Sequence, residues 1–356
     1  MFRIFAIQQK SPMIESSAPQ DEQANNPSEH LRKLNAEIAL EKILLDQLRA
    51  EVSNVVIGQS AMIDALIIAL LTEGHVLLEG MPGLAKTLAV RSLSETMNLD
   101  FGRIQFTPDL LPADVTGTMI YQQKSEAFTV RKGPIFSSFL LADEINRAPA
   151  KVQSALLEAM QEGQVTIGEN TFKLPEPFLV MATQNPIEQE GTYVLPEAQK
   201  DRFLMKIKVG YPSPIEEQAI IRSQIKPEPL KPLQKIISKK DILRLKALVK
   251  QVYLDEKIEK YIVEIIHQTR APKLKALEPL KPYLTFGASP RGGISLALVA
   301  KARAFMEGRA FVIPEDVKLM AVPVLNHRIG VSYEAEMDSI SADDIIEKII
   351  QYVEVP

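Results

Sequence analysis

The chain has 356 residues, 46% of them apolar and 24% charged, with a formal net charge of −4. That length holds two domains of ordinary size, and the acidic balance argues against a protein that grips nucleic acid mainly through a strongly basic surface. Cysteine is absent, which excludes disulfides, thiolate metal sites and thiol nucleophiles, and His30, His75, His267 and His327 lack the spacing of a zinc site.

The opening stretch, MFRIFAIQQK, is apolar only briefly and lacks the charged and long apolar regions of a secretion signal. No apolar run approaches the ~18 residues that a membrane-spanning helix needs. A cytoplasmic protein with no stable membrane insertion is therefore expected. Residues from about 8 to 29 are rich in Gln, Ser, Pro, Asn and Glu, a composition that buries too little surface to order itself, so residues 1–30 are read as a disordered lead-in. From Leu31 to Val52 apolar residues recur at helical spacing (Leu34, Ile38, Leu44, Leu45, Leu48).

Short apolar runs then alternate with helical stretches. Four read as buried strands: His75–Glu79, Ser138–Ala142, Phe178–Thr183 and Phe203–Val209. Continuous apolar strands separated by helices predict a parallel sheet covered on both faces, with ligands at the carboxyl ends of the strands. A helix is expected from Pro214, with Ser213 as its cap and Glu216 and Glu217 near its positive end. Ile225–Leu233 is a proline-rich connector. From Ser238 onward only helical periods appear: Asp241–Val252, Glu256–Arg270, Pro290–Glu307, Pro314–Met320 and Ser341–Val353, the last with Ser341 and Asp344 at capping-box spacing. The expected division is 1–30 lead-in, 31–224 α/β nucleotide-binding domain and 225–356 helical domain.

Five signals carry chemistry. Gly80-Met81-Pro82-Gly83-Leu84-Ala85-Lys86-Thr87 follows one strand and opens a helix from Thr87 to Met97, the setting of a phosphate-binding loop. Backbone N–H groups would turn inward around the phosphates at a positive helix end. Lys86 would reach the β- and γ-phosphates and the Thr87 hydroxyl would ligate Mg²⁺. Ala85 stands where the general pattern has Gly. Alanine tolerates most backbone conformations other than φ > 0, so the loop is expected to survive the change. Asp143 and Glu144 end a buried strand; the Asp can hold the Mg²⁺ water shell and the Glu can polarise an attacking water. Asn185, after a third strand, can orient that water. Arg202, just before the fourth strand, and Arg291, opening a helix in the second domain, can each neutralise charge on a transferred phosphoryl group. Each signal alone also has a plain structural reading: a tight turn, a helix cap, an Asn-Pro turn, a surface charge. Their order and their positions at strand ends and a domain boundary favour a nucleotide site.

Together these motifs resemble the MoxR family of AAA+ ATPases, in the helix-2-insert clade. GMPGLAKT is similar to that family's Walker A loop, including its Ala before Lys, and LLADEINRAPAKVQSALLEAMQEGQVTIG is similar to its Walker B strand with the following helix and hairpin. MATQNPIEQEGTYVLPEAQKDRFLM resembles its sensor-1 and arginine-finger stretch, and GASPRGGISLALVAKARAFMEGRAFVIPEDV its sensor-2 lid. The likeness runs from about residue 35 to 356, and Lys200 departs from it where the family usually carries Leu. It implies a P-loop AAA+ α/β core, with a parallel sheet flanked by helices, and a C-terminal all-helical lid. It also implies that ATP lies against Gly80–Leu88 with Leu88 in the first helical turn, that Val56, Ile57, Gly58 and Gln59 line the adenine, and that Thr87 and Asp143 hold Mg²⁺. Glu144 and Asp143 become the Walker B pair, Asn185 sensor 1, Arg202 the finger and Arg291 sensor 2. Residues 117–133 and 164–172 become hairpins, and the helical lid is expected to rotate against the α/β domain as the γ-phosphate is lost.

A finger arginine must enter from outside a pocket already walled by loop and strands, so a site shared between subunits is expected, in a homo-hexamer by the resemblance. The function so implied is a chaperone-like remodelling ATPase acting with a partner that carries a von Willebrand factor A domain. The alternatives are the motor subunit of a metal-chelatase-like complex, a nucleic-acid translocase and a slow nucleotide switch. Lys124, Arg131 and Lys132 make the first hairpin modestly basic, whereas QVTIGENTF carries almost no positive charge, which disfavours a motor that tracks phosphates.

Overall fold

The computed structural model describes residues 27–124, 126–185, 193–225 and 232–356. The first 26 residues of the expected lead-in, residues 186–192 of the sensor-1 stretch and residues 226–231 of the proline-rich connector lie outside the described residues. The amphipathic helix α1 spans Pro27–Ser53, so it begins four residues before Leu31 and takes the end of the expected lead-in with it. Pro27 opens it, a position where the missing N–H of proline costs nothing.

The helix α2 (Ser60–Leu71) is apolar on nearly every side and buried from Met62 to Leu71, with only Asp64 less than fully covered. A helix of that kind must be enclosed, and α2 packs between the sheet and the second domain. There follow β1 (Val76–Glu79), α3 (Lys86–Thr96), β2 (Phe101–Gln105), α4 (Pro112–Thr116), the strands β3 (Gly117–Gln122) and β4 (Ala127–Lys132), β5 (Phe139–Asp143) and α5 (Ala150–Glu162). Then come β6 (Gln164–Ile167), β7 (Asn170–Lys173), β8 (Leu179–Gln184), α6 (Glu197–Lys200), β9 (Met205–Lys208) and α7 (Pro214–Gln224). Five of these strands form one parallel sheet in the order β2-β5-β8-β1-β9.

The four apolar runs are the four strands β1, β5, β8 and β9. The fifth, β2, has no apolar run: of FGRIQ only Ile104 is buried. It lies at the sheet edge, where one face meets solvent, so its pattern alternates and shows no continuous burial. Because β1 is flanked by β8 and β9, with β5 next to β8, the carboxyl ends of three buried strands meet at one edge of the sheet. His75 fixes the opposite end: its Nδ1 accepts from the Val180 N–H at 3.0 Å and its Nε2 lies 3.2 Å from the Met160 carbonyl.

The pairs β3–β4 and β6–β7 are antiparallel hairpins standing off the main sheet, as the resemblance implied. Lys132 Nζ sits 4.8 Å above the ring of Phe136 and 5.1 Å from that of Phe172, tying one hairpin to the other. That lysine therefore supports the hairpins' own packing.

The second domain holds α8 (Lys239–Gln251), α9 (Glu256–Arg270), α10 (Pro290–Met306), α11 (Pro314–Leu325), α12 (Tyr333–Met337) and α13 (Ala342–Tyr352). Ser213, Ser238 and Ser341 cap α7, α8 and α13 in capping boxes with Glu216, Asp241 and Asp344. To the helices the structure adds a two-stranded ribbon, β10 (Leu284–Phe286) with β11 (Gly330–Val331), too short to leave a strand pattern in the sequence. Helix α1 packs on α2 and α3 of the first domain and on α10 of the second; Asn35 Oδ1 accepts from the Ala310 N–H at 3.0 Å, and Glu41 pairs with Arg244.

Candidate active site

The loop between β1 and α3 folds over the carboxyl edge of the sheet. Gly80 sits so close to β9 that an added Cβ would lie 2.6 Å from the Val209 carbonyl oxygen, so no side chain fits there. Gly83 turns at φ +85°, and an added Cβ there would meet nothing within 4 Å, so the loop opens toward a cradle rather than toward packed protein. Ala85 corrects the expectation drawn from its chemistry: it occupies the left-handed region at φ 56°, ψ 17°, as the residue preceding α3. The loop survives the Gly-to-Ala change by holding a strained alanine, at ~1–2 kcal/mol, not by avoiding the conformation.

Pro82, Leu84, Lys86 and Thr87 wall a cavity of about 420 Å³, closed on the other side by Asp143, Glu144, Thr183 and Asn185. Gly83, Ala85 and Leu88 also border it, whereas Gly80 and Met81 do not. Lys86 Nζ donates to the Gly80 carbonyl at 2.6 Å. Burial lowers the Lys86 ammonium from its ordinary range, against the pull of the Asp143 and Glu144 carboxylates, which favour its charge.

The acidic pair is held from three sides. Thr183 Oγ1, one strand over on β8, donates to Asp143 Oδ1 at 2.7 Å and accepts from the Glu144 N–H at 2.8 Å. Arg103 and Gln105, on the edge strand β2, reach Asp143 Oδ2 at 2.7 Å and Glu144 Oε2 at 2.7 Å. Arg147 donates to the same Glu144 oxygen at 3.0 Å. Glu144 itself is left-handed at φ 55°, which swings its side chain out of the strand direction. The five sequence signals include none of Arg103, Gln105, Thr183 and Arg147. Only the two-residue spacing of Arg103 and Gln105, which puts both on one face of a strand, could have signalled them.

Residues Val56–Gln59 do not wall the cavity. They sit between α1 and α2 beside the loop base: Gln59 Nε2 donates to the Gly210 carbonyl at 3.3 Å, and an added Cβ on Gly58 would lie 3.0 Å from the Glu216 carboxyl carbon. Arg202 and Arg291 do not reach the cavity either. They share a second one, of about 280 Å³, with Asp201, Glu73 and Arg328. The structure thus gathers the loop, Asp143, Glu144 and Asn185 around one space, and brings the two arginines together at another.

The residues at the first cavity suit a nucleotide with Mg²⁺. A lysine, a hydroxyl and a single strand-end carboxylate face an open glycine turn, and the described residues hold no cluster of three or more His, Asp or Glu that would cage an ion alone. Mg²⁺ prefers this sharing of one or two protein ligands with phosphate and water.

Two family models match the chain. The ATPase family associated with various cellular activities (AAA) covers residues 75–205, and the AAA lid domain covers residues 280–349. The chain is 48% identical to Chaperone MoxR1 of Mycobacterium tuberculosis over 90% of its own length and 84% of that protein. It is 46% identical to the uncharacterised protein YeaC of Bacillus subtilis over 88% and 95%, and 30% identical to Protein MoxR of Paracoccus denitrificans over 82% and 90%. The crystal structure of a protein from Cytophaga hutchinsonii, described as a candidate ATPase, superposes with a TM-score of 0.86 at 52% identity, covering 91% of this chain and 99% of that one. With this sheet order, this loop and identity at that level over nearly the whole length, the chain belongs to the MoxR family of AAA+ ATPases.

Proposed function

We propose that the protein is a Mg²⁺-dependent ATP hydrolase that assembles as a homo-hexameric ring and remodels protein clients, with a partner bearing a von Willebrand factor A domain. The observation that carries this reading is the separation of the two arginines from the phosphate cavity. Each subunit presents a loop, a carboxylate pair and Asn185 at one place, and Arg202 with Arg291 at another. Neither arginine makes a side-chain hydrogen bond or ion pair with the described residues, so both guanidinium groups stand ready for an external anion. In this reading Arg202 and Arg291 serve the nucleotide of the next subunit. Helix α7 buries no residue and leaves Ile215 and Ile221 exposed, apolar surface that a neighbour would cover.

In the mechanism, loop N–H groups and Lys86 hold the phosphates. Thr87 and Asp143 would hold Mg²⁺, which would supply charge neutralisation for the phosphates. Glu144 takes a proton from the attacking water, and Gln105 and Arg147 fix its carboxylate. Asn185, buried at the end of β8, orients that water. Arg202 and Arg291 neutralise charge on the departing phosphoryl oxygens, a role worth ~10³–10⁵ in rate for such arginines.

A protein client is favoured over nucleic acid by the first hairpin. Tyr121 and Phe128 pack ring against ring at 5.3 Å with their planes tilted by 59° and stand about half exposed or more, while Lys132 is engaged on the rings of Phe136 and Phe172. The test is a client trap. Glu144→Gln protein with ATP should bind nucleotide, lose turnover and retain a von Willebrand factor A partner or its cargo from a host lysate. Lys86→Ala, unable to bind nucleotide, should retain neither. Full turnover in Glu144→Gln would sink the assignment of the base, and capture of nucleic acid alone would replace the client class.

A further inference from the structure

One lid arginine has a role that neither the nucleotide site nor the sequence motifs account for. Arg328 follows α11, and its side chain is only 1% exposed. Its Nε donates to Asp201 Oδ1 at 2.8 Å. Its NH1 donates to the Leu204 carbonyl at 3.0 Å, and its NH2 to the carbonyls of Phe203 at 2.6 Å and Asp201 at 3.3 Å. Ser295 Oγ, on α10, and the Val324 carbonyl, on α11, complete its contacts. One guanidinium thus binds three of the four carbonyls of the segment Asp201–Leu204, and Arg202 lies inside that segment.

The other Asp201 oxygen is also taken from the lid. Ser289 Oγ donates to Asp201 Oδ2 at 3.0 Å and accepts from the Arg291 N–H at 3.2 Å, capping α10. His327 Nε2 lies 3.0 Å from the Phe203 carbonyl, and Asn326 Nδ2 donates to the Lys206 carbonyl at 3.3 Å. A single carboxylate therefore links the residue that grips the Arg202 segment to the cap that places Arg291.

A buried ion pair is a poor stabiliser, because two charges leave water for one another. What a fork of five fixed donors provides is geometry. We propose that Arg328 is a positioning residue for phosphoryl transfer: by latching the lid to the Asp201–Leu204 backbone, it holds Arg202 and Arg291 as one rigid pair toward the nucleotide of the next subunit. The proposal rests on the shared-site reading above. It requires that the lid cannot turn without carrying the finger segment with it.

The test uses the full-length protein. Arg328→Met with Asp201→Asn removes the latch without leaving a lone buried charge; Asp201→Asn alone, which keeps an amide oxygen to accept from Arg328 Nε and leaves the carbonyl partners of Arg328 in place, is the second variant, should the pair fail to fold. In the paired variant kcat should fall on the order of 10²-fold, the loss that a misplacement of about 1 Å can cause, and in Asp201→Asn about tenfold. Binding of a fluorescent ATP analogue should stay within about twofold of the parent in both, because the loop is untouched. Mixing either variant with Lys86→Ala protein should restore turnover, since a Lys86→Ala neighbour brings an intact Arg202 and Arg291 to an intact loop. Parent-like kcat overturns the latch. So does a loss that mixing leaves in place while Arg202→Ala is restored by the same mixing, because that pattern marks a role confined to folding. If mixing fails to restore Arg202→Ala itself, the shared site falls and the latch falls with it.

Discussion

Two residues of the cavity are held in a backbone conformation that their side chains resist. Ala85 and Glu144 both lie at φ near +55°, one before the helix that carries Lys86, the other at the end of the strand that carries Asp143. The left-handed turn at Ala85 costs ~1–2 kcal/mol for an L-residue, while glycine gives back ~0.5–1 kcal/mol as backbone entropy. Ala85→Gly should therefore stabilise the protein by about 0.5–1 kcal/mol in urea unfolding; a loss of about 1 kcal/mol or more would show that the methyl group makes a contact worth more than the strain.

His75 is the second residue-scale case. Burial drives its pKa down to about 4, from an ordinary 6.5, outweighing the Met160 carbonyl that favours the charged ring; the Lys246 ammonium pushes it further down. The folded pKa is depressed, so the unfolded chain binds the proton first. Stability is full above pH 6.5 and falls as pH drops toward 4, by about 3 kcal/mol if this ring acted alone. His327, buried beside Arg328, is lowered for the same leading reason and adds a loss of the same sign. His75→Gln, which keeps a donor and an acceptor, should flatten the slope of unfolding free energy between pH 4 and 6.5; an unchanged slope would assign it to other groups.

At the scale of elements, the edge strand β2 has a job that its burial pattern hides. Its inward face adds little to the core, but Arg103 and Gln105 steady the Asp143 and Glu144 carboxylates on the neighbouring strand. In the proposed role of Glu144 as base, a carboxylate that can swing spends less time aligned with water. Gln105→Ala should lower kcat about tenfold and leave nucleotide affinity within about twofold. Equal losses in both would point to a damaged sheet edge, which thermal unfolding of the variant would reveal.

At the scale of the molecule, the lid is bound to the α/β domain at two separated places. Arg328 and Ser289 hold the Asp201–Leu204 segment, while α1, packed on α2 and α3, reaches the lid through Asn35 on Ala310 and Glu41 on Arg244. The rotation expected of the lid must therefore carry these attachments with it. If a neighbour completes the site, as proposed, activity becomes a property of the assembly. ATPase activity per subunit should rise with protein concentration and then level off as rings fill. A flat profile across the dissociation range would mean that one subunit hydrolyses ATP with its own residues.

Much of this architecture is legible in the amino-acid sequence alone. The four runs HVLLE, SFLLA, FLVMAT and FLMKIKV are central strands because a strand buried on both faces must be apolar throughout. The loop at Gly80–Thr87, the Asp143–Glu144 pair and the Ser213 and Ser341 caps are local, set by side chains a few residues apart, and the structure places them where their spacing predicts. Whatever depends on neighbours distant in the chain leaves no such local trace. The edge strand β2 carries no apolar run. The clamp of Arg103, Gln105 and Thr183 spans about 40 residues, and the Arg328 latch spans 127. The sign of φ at Ala85 is decided by the turn from β1 into α3, not by alanine's own preference. Local pattern determines the buried strands, the helices and their caps, because those choices rest on near neighbours. The tertiary fold alone decides which charges meet, because only packing brings them within a hydrogen bond of one another.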